Sequence, residues 1–112
     1  MILDFENMAP VAVEHFKGGE GTLQLRKFDD PPMGAVVRLT LPPHTSIGLH
    51  THQDNCEVVY VLSGQGECLY DDTVYPVKTG MVVYCPQHHA HSIRNTGEET
   101  MELLGVLPKS VS

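Results

Sequence analysis

The chain has 112 residues, a length that suits one domain, and its 41% hydrophobic content is enough to build one core. Seven basic and fourteen acidic residues give a net charge of −7 with histidine neutral. Binding to nucleic-acid phosphates or anionic lipid needs clustered Lys and Arg, and the basic residues here are scattered, so a nucleic-acid partner is disfavoured. No apolar run approaches the ~20 residues that cross a bilayer. The N-terminus lacks the basic start and apolar centre of a signal peptide.

The three cysteines, Cys56, Cys68 and Cys85, are odd in number and form no CxxC pair. Reduced thiols in a cytoplasmic protein are the simplest interpretation. Each thiol is expected to serve as a small buried hydrophobe rather than as a nucleophile.

Strand signals dominate the chain, because short runs of β-prone residues alternate with turn residues about every eight to ten positions. The pattern predicts an all-β barrel or sandwich in a single domain over residues 1–112. Residues 1–21 are less regular and are expected to form an arm, which could pack on a neighbouring subunit. In chain order the predicted strands are Thr22–Phe28, Gly34–Leu41, Ser46–His52, Glu57–Leu62, Glu67–Tyr70, Val74–Val77, Met81–Cys85, His91–Asn95 and Thr100–Leu107.

Two pairings are suggested by the turns between strands. Asp71-Asp72 is typical of a tight hairpin between Glu67–Tyr70 and Val74–Val77. The turn at residues 96–99 suggests that His91–Asn95 pairs with Thr100–Leu107.

The seven histidines are the most informative residues, since most of them lie between residues 44 and 91. His50 and His52 are two positions apart, so on a strand their side chains point to the same face. Glu57 follows across the turn Gln53-Asp54-Asn55, and a hairpin there would bring its carboxylate beside both imidazoles. His91 begins a later strand that could lie next to the strand carrying His50.

Three imidazoles and one carboxylate form a borderline-hard set of ligands. Such a set suits one divalent ion of Mn, Fe, Co, Ni, Cu or Zn and suits Ca or Mg poorly. Four protein ligands also leave one or two coordination positions for a substrate.

The spacing of these residues resembles the two motifs of the cupin family. The first motif, Gly-x5-His-x-His-x3,4-Glu-x6-Gly, is matched by His50, His52, Glu57 and Gly64 but not at its first glycine. The second motif, Gly-x5-Pro-x-Gly-x2-His-x3-Asn, is matched by Gly80, Pro86, His91 and Asn95. The resemblance covers residues 34–107, and the short gap between the motifs is similar to that of small single-domain microbial cupins of the cupin 2 type.

Two positions depart from the family pattern, because His44 and His88 stand where it has glycine. The nearby Gly48 suggests that the first turn is displaced. Neither change touches a ligand, and both put an imidazole near the expected barrel mouth, where it would contact substrate or simply face solvent.

The resemblance implies a double-stranded β-helix, or jelly roll, with the metal inside and usually a homodimer. It implies that all four ligands, His50, His52, Glu57 and His91, are intact, but it does not select a reaction. Similar cupins include dioxygenases, decarboxylases, isomerases and lyases, as well as proteins without known activity.

The leading hypothesis is a metal-dependent enzyme that acts on a small carboxylic acid, enol or sugar derivative. His44, His89 and Tyr84 are candidates for a general base, whereas Tyr60 has the opposite parity to Glu57 and should lie outside the barrel. The alternative is a non-catalytic small-molecule-binding or sensing module. Oxalate decarboxylation is less favoured, because no motif places a clamping arginine at the metal; the candidates are Arg26, Arg38 and Arg94.

Overall fold

Strands account for most of the computed structural model, which describes residues 1–110. Within that range there is no helix long and apolar enough to span a bilayer. The helical elements are two short 3-10 helices, Phe5–Asn7 and Phe16–Gly18. The strands are β1 (Val11–Glu14), β2 (Thr22–Asp30), β3 (Gly34–Leu41), β4 (Ser46–Thr51), β5 (Glu57–Ser63), β6 (Gln65–Tyr70), β7 (Thr73–Lys78), β8 (Val82–Cys85), β9 (Ala90–Asn95) and β10 (Met101–Pro108).

Two antiparallel sheets face each other and enclose the core. One has six strands in the order β1-β2-β3-β10-β5-β8, and the other has four in the order β4-β9-β6-β7. The inward side chains of β3 alternate with outward ones along the whole strand, as expected for a sheet with one buried face. The predicted all-β, jelly-roll class is therefore confirmed.

Strands that follow one another in the chain often lie in opposite sheets. For this reason two of the predicted strand pairings are wrong. β4 pairs with β9 whereas β5 pairs with β10 and β8, so the turn between β4 and β5 crosses the barrel and does not close a hairpin. Likewise β9 pairs with β4 and β6, while β10 pairs with β3 and β5. A jelly roll exchanges strands between sheets, which local turn signals do not reveal. The predicted β6–β7 hairpin is confirmed, and Asp71 and Asp72 both have positive φ, at 47° and 64°.

The N-terminal segment is more ordered than its sequence suggests. Val11–Glu14 forms β1 on the edge of the larger sheet, paired with β2. Upstream of it, Arg26 Nε donates to the carbonyl oxygen of Met8 at 2.9 Å, and Arg38 contacts Glu6 at 2.9 Å. The segment thus packs on the sheet of its own chain, and an additional contact with a neighbouring subunit stays a prediction.

The apolar core fills the barrel between the sheets. The larger sheet contributes residues such as Leu39, Val61 and Leu103, and the smaller sheet contributes Ile93 and Ile47. Tyr60 on β5 is 40% exposed on the outer face, as its parity predicts.

Candidate metal centre

Four side chains from three strands converge in the barrel interior. His50 lies on β4, His91 lies directly opposite it on β9, and His52 follows the end of β4. Glu57 begins β5 on the facing sheet. One potential ligand atom from each of these four residues lies within 4.8 Å of the others. The fold therefore gathers all four predicted ligands, although Glu57 arrives across the barrel and not through a hairpin.

His50 faces the interior because β4 is irregular just before it. Ile47 is buried in the core, and three residues later a regular strand would point His50 to the outside. The β4–β9 register shifts between these two residues, which restores the inward direction. Gly48 lies within this shift, and a side chain there would collide with the carbonyl oxygen of Lys17.

The distances among the ligand atoms match those around one metal ion. Glu57 Oε1 lies 2.8 Å from His91 Nε2, 3.1 Å from His52 Nε2 and 3.9 Å from His50 Nε2. The Nε2 atoms of His52 and His91 are 3.1 Å apart. Bonds of about 2.1 Å at right angles would place neighbouring ligand atoms about 3.0 Å apart. Thus His52, Glu57 and His91 have the spacing of ligands to one ion, and His50 is the looser fourth.

Hydrogen bonds outside the cluster fix which nitrogens can bind a cation. His50 Nδ1–H donates to the carbonyl oxygen of Gly48 at 2.7 Å, and His52 Nδ1–H donates to Asn55 Oδ1 at 2.7 Å. When these rings are neutral, Nε2 of each carries the lone pair that could bind a cation, the arrangement that holds histidine ligands in metal proteins. Nδ1 of His91, a residue that is 1% exposed, has no hydrogen-bond partner among residues 1–110. The donor set therefore fits a divalent transition-metal ion.

The pKa shifts of Glu57 and His52 indicate that the cluster favours a cation. Burial of the Glu57 carboxyl would raise its pKa, but the three neighbouring histidines, of which His52 and His91 lie within hydrogen-bond distance, outweigh this effect and hold the pKa well below its usual range. The hydrogen bond to Glu57 raises the pKa of His52 above its ordinary value, against the opposing effect of burial. In the metal-free state the carboxylate thus favours the protonated form of His52, and a divalent ion would compete with that proton.

Backbone hydrogen bonds restrain the segments that carry the ligands, and a glycine makes room for one of them. The His52 N–H donates to the carbonyl oxygen of His89 at 3.0 Å, and the His88 N–H donates to that of His52 at 2.6 Å. These bonds tie the end of β4 to the loop that leads to His91. Across the barrel, a Cβ on Gly105 would lie 3.2 Å from Glu57 Oε2, so glycine leaves room for this carboxylate.

A cavity of about 880 Å³ opens onto the cluster. Its lining includes His50, His52 and Glu57, together with Lys17 and Asn55, two residues the motifs did not single out. Its volume lies in the range of roughly 300–1,000 Å³ typical of small-molecule sites. A ligand in this cavity could therefore reach a metal ion held by the cluster.

The three candidates for a general base lie away from this cavity. His44 is exposed in a loop, and Tyr84 is 56% exposed because β8 buries Val83 and Cys85 instead. The His89 side chain is 43% exposed, and its ring stacks on that of Tyr70. His89 precedes β9, which begins at Ala90, so the parity it would share with His91 on a strand does not apply. None of the three lines the described cavity.

His44 and His88 adopt the backbone conformation that glycine normally supplies. Their φ angles are 63° and 72°, in the left-handed region that is costly for residues with a Cβ. The first turn is therefore formed by His44 itself, and the expectation that Gly48 displaces it is wrong. Both side chains are exposed.

Asn95, the last residue of the second motif, holds a turn and does not approach the cluster. Its side chain is buried, and Nδ2 donates to the carbonyl oxygens of Leu41 and Glu99 at 2.9 and 2.8 Å. Oδ1 accepts from the N–H of Gly97 at 2.9 Å. Its role is therefore structural.

The three cysteines are free, and Cys68 and Cys85 are buried. Burial, together with the nearby Glu57 carboxylate, raises the pKa of each of these two thiols to about 11. Such thiols are poor nucleophiles at neutral pH.

A two-sheet β-barrel with three histidines and a glutamate converging in its interior defines a class of small barrels able to hold a metal. The family model described as "Cupin domain" matches residues 37–107, more than half of the chain. The chain therefore belongs to the cupin family, as its motifs predict.

The comparisons identify relatives of the whole chain. The "Oxalate-binding protein" of Thermotoga maritima is 29% identical over 96% of this chain and 93% of its own length. A crystal structure of a predicted oxalate decarboxylase from the same organism has a TM-score of 0.93 and 28% identity, covering 98% of this chain and 100% of that one. The polyketide cyclase RemF from Streptomyces resistomycificus shares the fold, with a TM-score of 0.77 at 19% identity over 99% of this chain and 82% of that one. Other curated relatives match shorter stretches, and the chain spans 17–56% of their lengths.

Proposed function

We propose that this protein binds one divalent transition-metal ion through His50, His52, Glu57 and His91 and acts on a small oxygenated molecule held at that ion. The convergence of three Nε2 lone pairs and one carboxylate oxygen at a cavity wall carries the proposal. We expect a carboxylic acid, enol or sugar derivative as the substrate, since oxygen donors suit the open positions of such an ion.

The residues of the chain supply orientation and charge. Glu57 would offset part of the metal's positive charge, while Asn55 and the Gly48 carbonyl hold His52 and His50 in the binding tautomer. The bound ion would supply Lewis-acid stabilisation of negative charge on substrate oxygens. The surrounding apolar wall lowers the local dielectric, which strengthens these interactions.

The names of the two Thermotoga maritima matches favour a small carboxylate but point to different functions. One is called an oxalate-binding protein and the other a predicted oxalate decarboxylase. We therefore keep a second candidate, a non-catalytic binding or sensing module built on the same metal site. None of the candidates for a general base lines the cavity. The structure therefore gives the binding module more support than the sequence alone does.

Metal analysis tests the site. Purified wild-type protein should hold about one ion per chain, whereas His52→Ala and Glu57→Ala should hold far less because each removes a ligand. His44→Ala is the matched control, since this exposed imidazole lies outside the cluster. Equal metal content in all four proteins would refute the site.

Turnover distinguishes the two functions. Metal-loaded protein would be incubated with oxalate and a panel of hydroxy and keto acids while products and O₂ are monitored. Product formation that the Glu57→Ala variant lacks would support the enzyme. Saturable binding without product, at every metal tested, would support the binding module.

We also propose a cytoplasmic homodimer. On the outer face of the larger sheet, Tyr60 pairs with Val82, Tyr84 follows two residues along the same strand, and all three are 40–57% exposed. Large apolar side chains grouped on one surface are typical of an interface, and a second copy of the chain is the partner expected from the family. The free thiols suit a reducing compartment. Light scattering should show a dimer that Val82→Lys dissociates, and a monomeric wild type would contradict the proposal.

A further inference from the structure

The cavity above the metal cluster is much larger than a two-carbon acid requires. Oxalate has six non-hydrogen atoms, and at roughly the 30 Å³ that a water molecule takes up in the liquid they would fill less than about 200 Å³. The cavity, which is partly open to solvent, has a volume of about 880 Å³. A ligand that fills the cavity must therefore extend well beyond the metal.

One wall of the cavity is apolar. It is formed mainly by Leu25, Val37, Leu39, Ile47 and Leu107, with Phe16 from the second 3-10 helix. Val37, Leu39 and Ile47 belong to the buried core, whereas Phe16, Leu25 and Leu107 are only partly buried. These partly buried side chains would lose further contact with water if an apolar ligand covered them.

Lysines are concentrated around the same cavity. Of the chain's four lysines, Lys17, Lys27 and Lys109 line the cavity, although they are far apart in sequence. Apart from the metal-cluster Glu57, the acidic residues of the lining are Asp29 and Asp54. Asp29 contacts Lys27 at 3.5 Å. Asp54 is then the one remaining aspartate of the lining beside Lys17 and Lys109. With Glu57 assigned to the metal, three lysines and two aspartates line the cavity, a small positive excess in a chain whose net charge is −7.

The backbones of two of these lysines are fixed beside the metal ligands. The Lys17 carbonyl oxygen lies against Gly48, whose own carbonyl accepts the hydrogen bond from His50. Lys109 forms an isolated β-bridge with Asn55, the residue that accepts from His52. Both side chains therefore extend from positions that the fold holds close to the cluster.

We propose that the ligand of this cavity is a mid-sized amphipathic acid with three parts. A head with two oxygens binds the metal, an apolar body lies on the wall, and a second anionic group is recognised by Lys17 and Lys109. This inference rests on the proposed metal site and narrows its substrate class.

Three 2-oxo acids test the parts of the ligand separately, using protein loaded with Zn²⁺ and calorimetric titration. Pyruvate carries only the head, 2-oxooctanoate adds the apolar body, and 2-oxooctanedioate adds the second carboxylate. Affinity should rise at least tenfold from pyruvate to 2-oxooctanoate because the added methylenes leave water. It should rise about a further fivefold for 2-oxooctanedioate, as expected for a partly exposed ion pair.

Charge-neutral variants test whether Lys17 and Lys109 bind the second carboxylate. Lys17→Gln and Lys109→Gln should each weaken 2-oxooctanedioate about twofold, so that together they remove the roughly fivefold gain, and both should leave 2-oxooctanoate unchanged. Lys78→Gln, on β7 of the smaller sheet, is the matched control and should change neither affinity. The extra affinity for the diacid should also decline in high salt.

Zn²⁺ binding, measured first and alone, separates this proposal from the proposed function. Protein that does not bind Zn²⁺ would refute the metal site itself. If Zn²⁺ binds but the three acids bind equally weakly, or not at all, the metal site stands and the ligand class is overturned. Equal effects of the lysine variants on 2-oxooctanoate and 2-oxooctanedioate would overturn the anion-binding role.

Discussion

Asn55 provides a sensitive test of how the ligands are held, because its side chain contacts the His52 ring at Nδ1 and not at the nitrogen that would bind the metal. Its Oδ1 accepts the Nδ1–H of His52 at 2.7 Å, and His52 is 5% exposed. Asn55→Ala would leave that buried donor without a partner, which costs about 1–3 kcal/mol. It would also free the ring to adopt the other tautomer. We therefore expect Zn²⁺ affinity to fall about tenfold to a hundredfold, the usual effect of losing such a partner.

The assay is competition for Zn²⁺ against a chromophoric chelator at pH 7.5. Asn55→Asp is the matched control, because it keeps the acceptor and should bind Zn²⁺ within about threefold of the wild type or more tightly. The backbone bridge of residue 55 to Lys109 should survive both substitutions, so the fold should be retained. Wild-type affinity in Asn55→Ala would refute the reasoning that this hydrogen bond prepares His52 for the metal.

Three further predictions concern stability, pH and reactivity. His88→Gly should raise the free energy of unfolding by about 1 kcal/mol by relieving the left-handed backbone, and an unchanged denaturation midpoint would contradict this. In metal-free protein the lowered pKa of Glu57 contributes stability above about pH 4.5, and this contribution is lost in acid. The raised pKa of His52 contributes stability below about pH 6.5, and this contribution is lost as the pH rises through the folded-state pKa. Melting temperature in chelator should therefore peak between these values, and a profile that keeps rising above pH 7 would contradict this. Cys85, with its pKa raised to about 11, should be alkylated at pH 8 far more slowly than the less buried Cys56. Mass spectrometry would follow both reactions, and equal rates would contradict the burial argument.

The sequence predicts the strands and the members of the His/Glu cluster well, because both depend on local spacing. Gly34–Leu41 has the predicted bounds, and His50 and His91 lie on neighbouring strands as expected. The pairing of β4 with β5 was wrong, because the short turn after His52 leads across the barrel into the other sheet. Glu57 still reaches the histidines, since facing sheets bring their inward side chains together.

The rest of the site depends on long-range packing that no local pattern reports. The register shift that turns His50 inward depends on how β4 pairs with β9, a strand about forty residues away in the sequence. Lys17 and Lys109 lie at opposite ends of the sequence and come to one cavity only when the barrel forms. Asn55 carried a weak signal, since an amide three residues after a ligand histidine is well placed to accept from its ring, but the pattern suggested only a turn.

The measurement that tests the central claim most directly is anomalous diffraction from crystals of Zn²⁺-loaded protein at the zinc absorption edge. We predict one strong peak per chain, about 2.0–2.2 Å from Nε2 of His50, His52 and His91 and from Oε1 of Glu57. His50 should move slightly inward to close the 3.9 Å separation from Glu57. A peak bound to other residues, or no peak at this cluster in protein shown to contain zinc, would contradict the account.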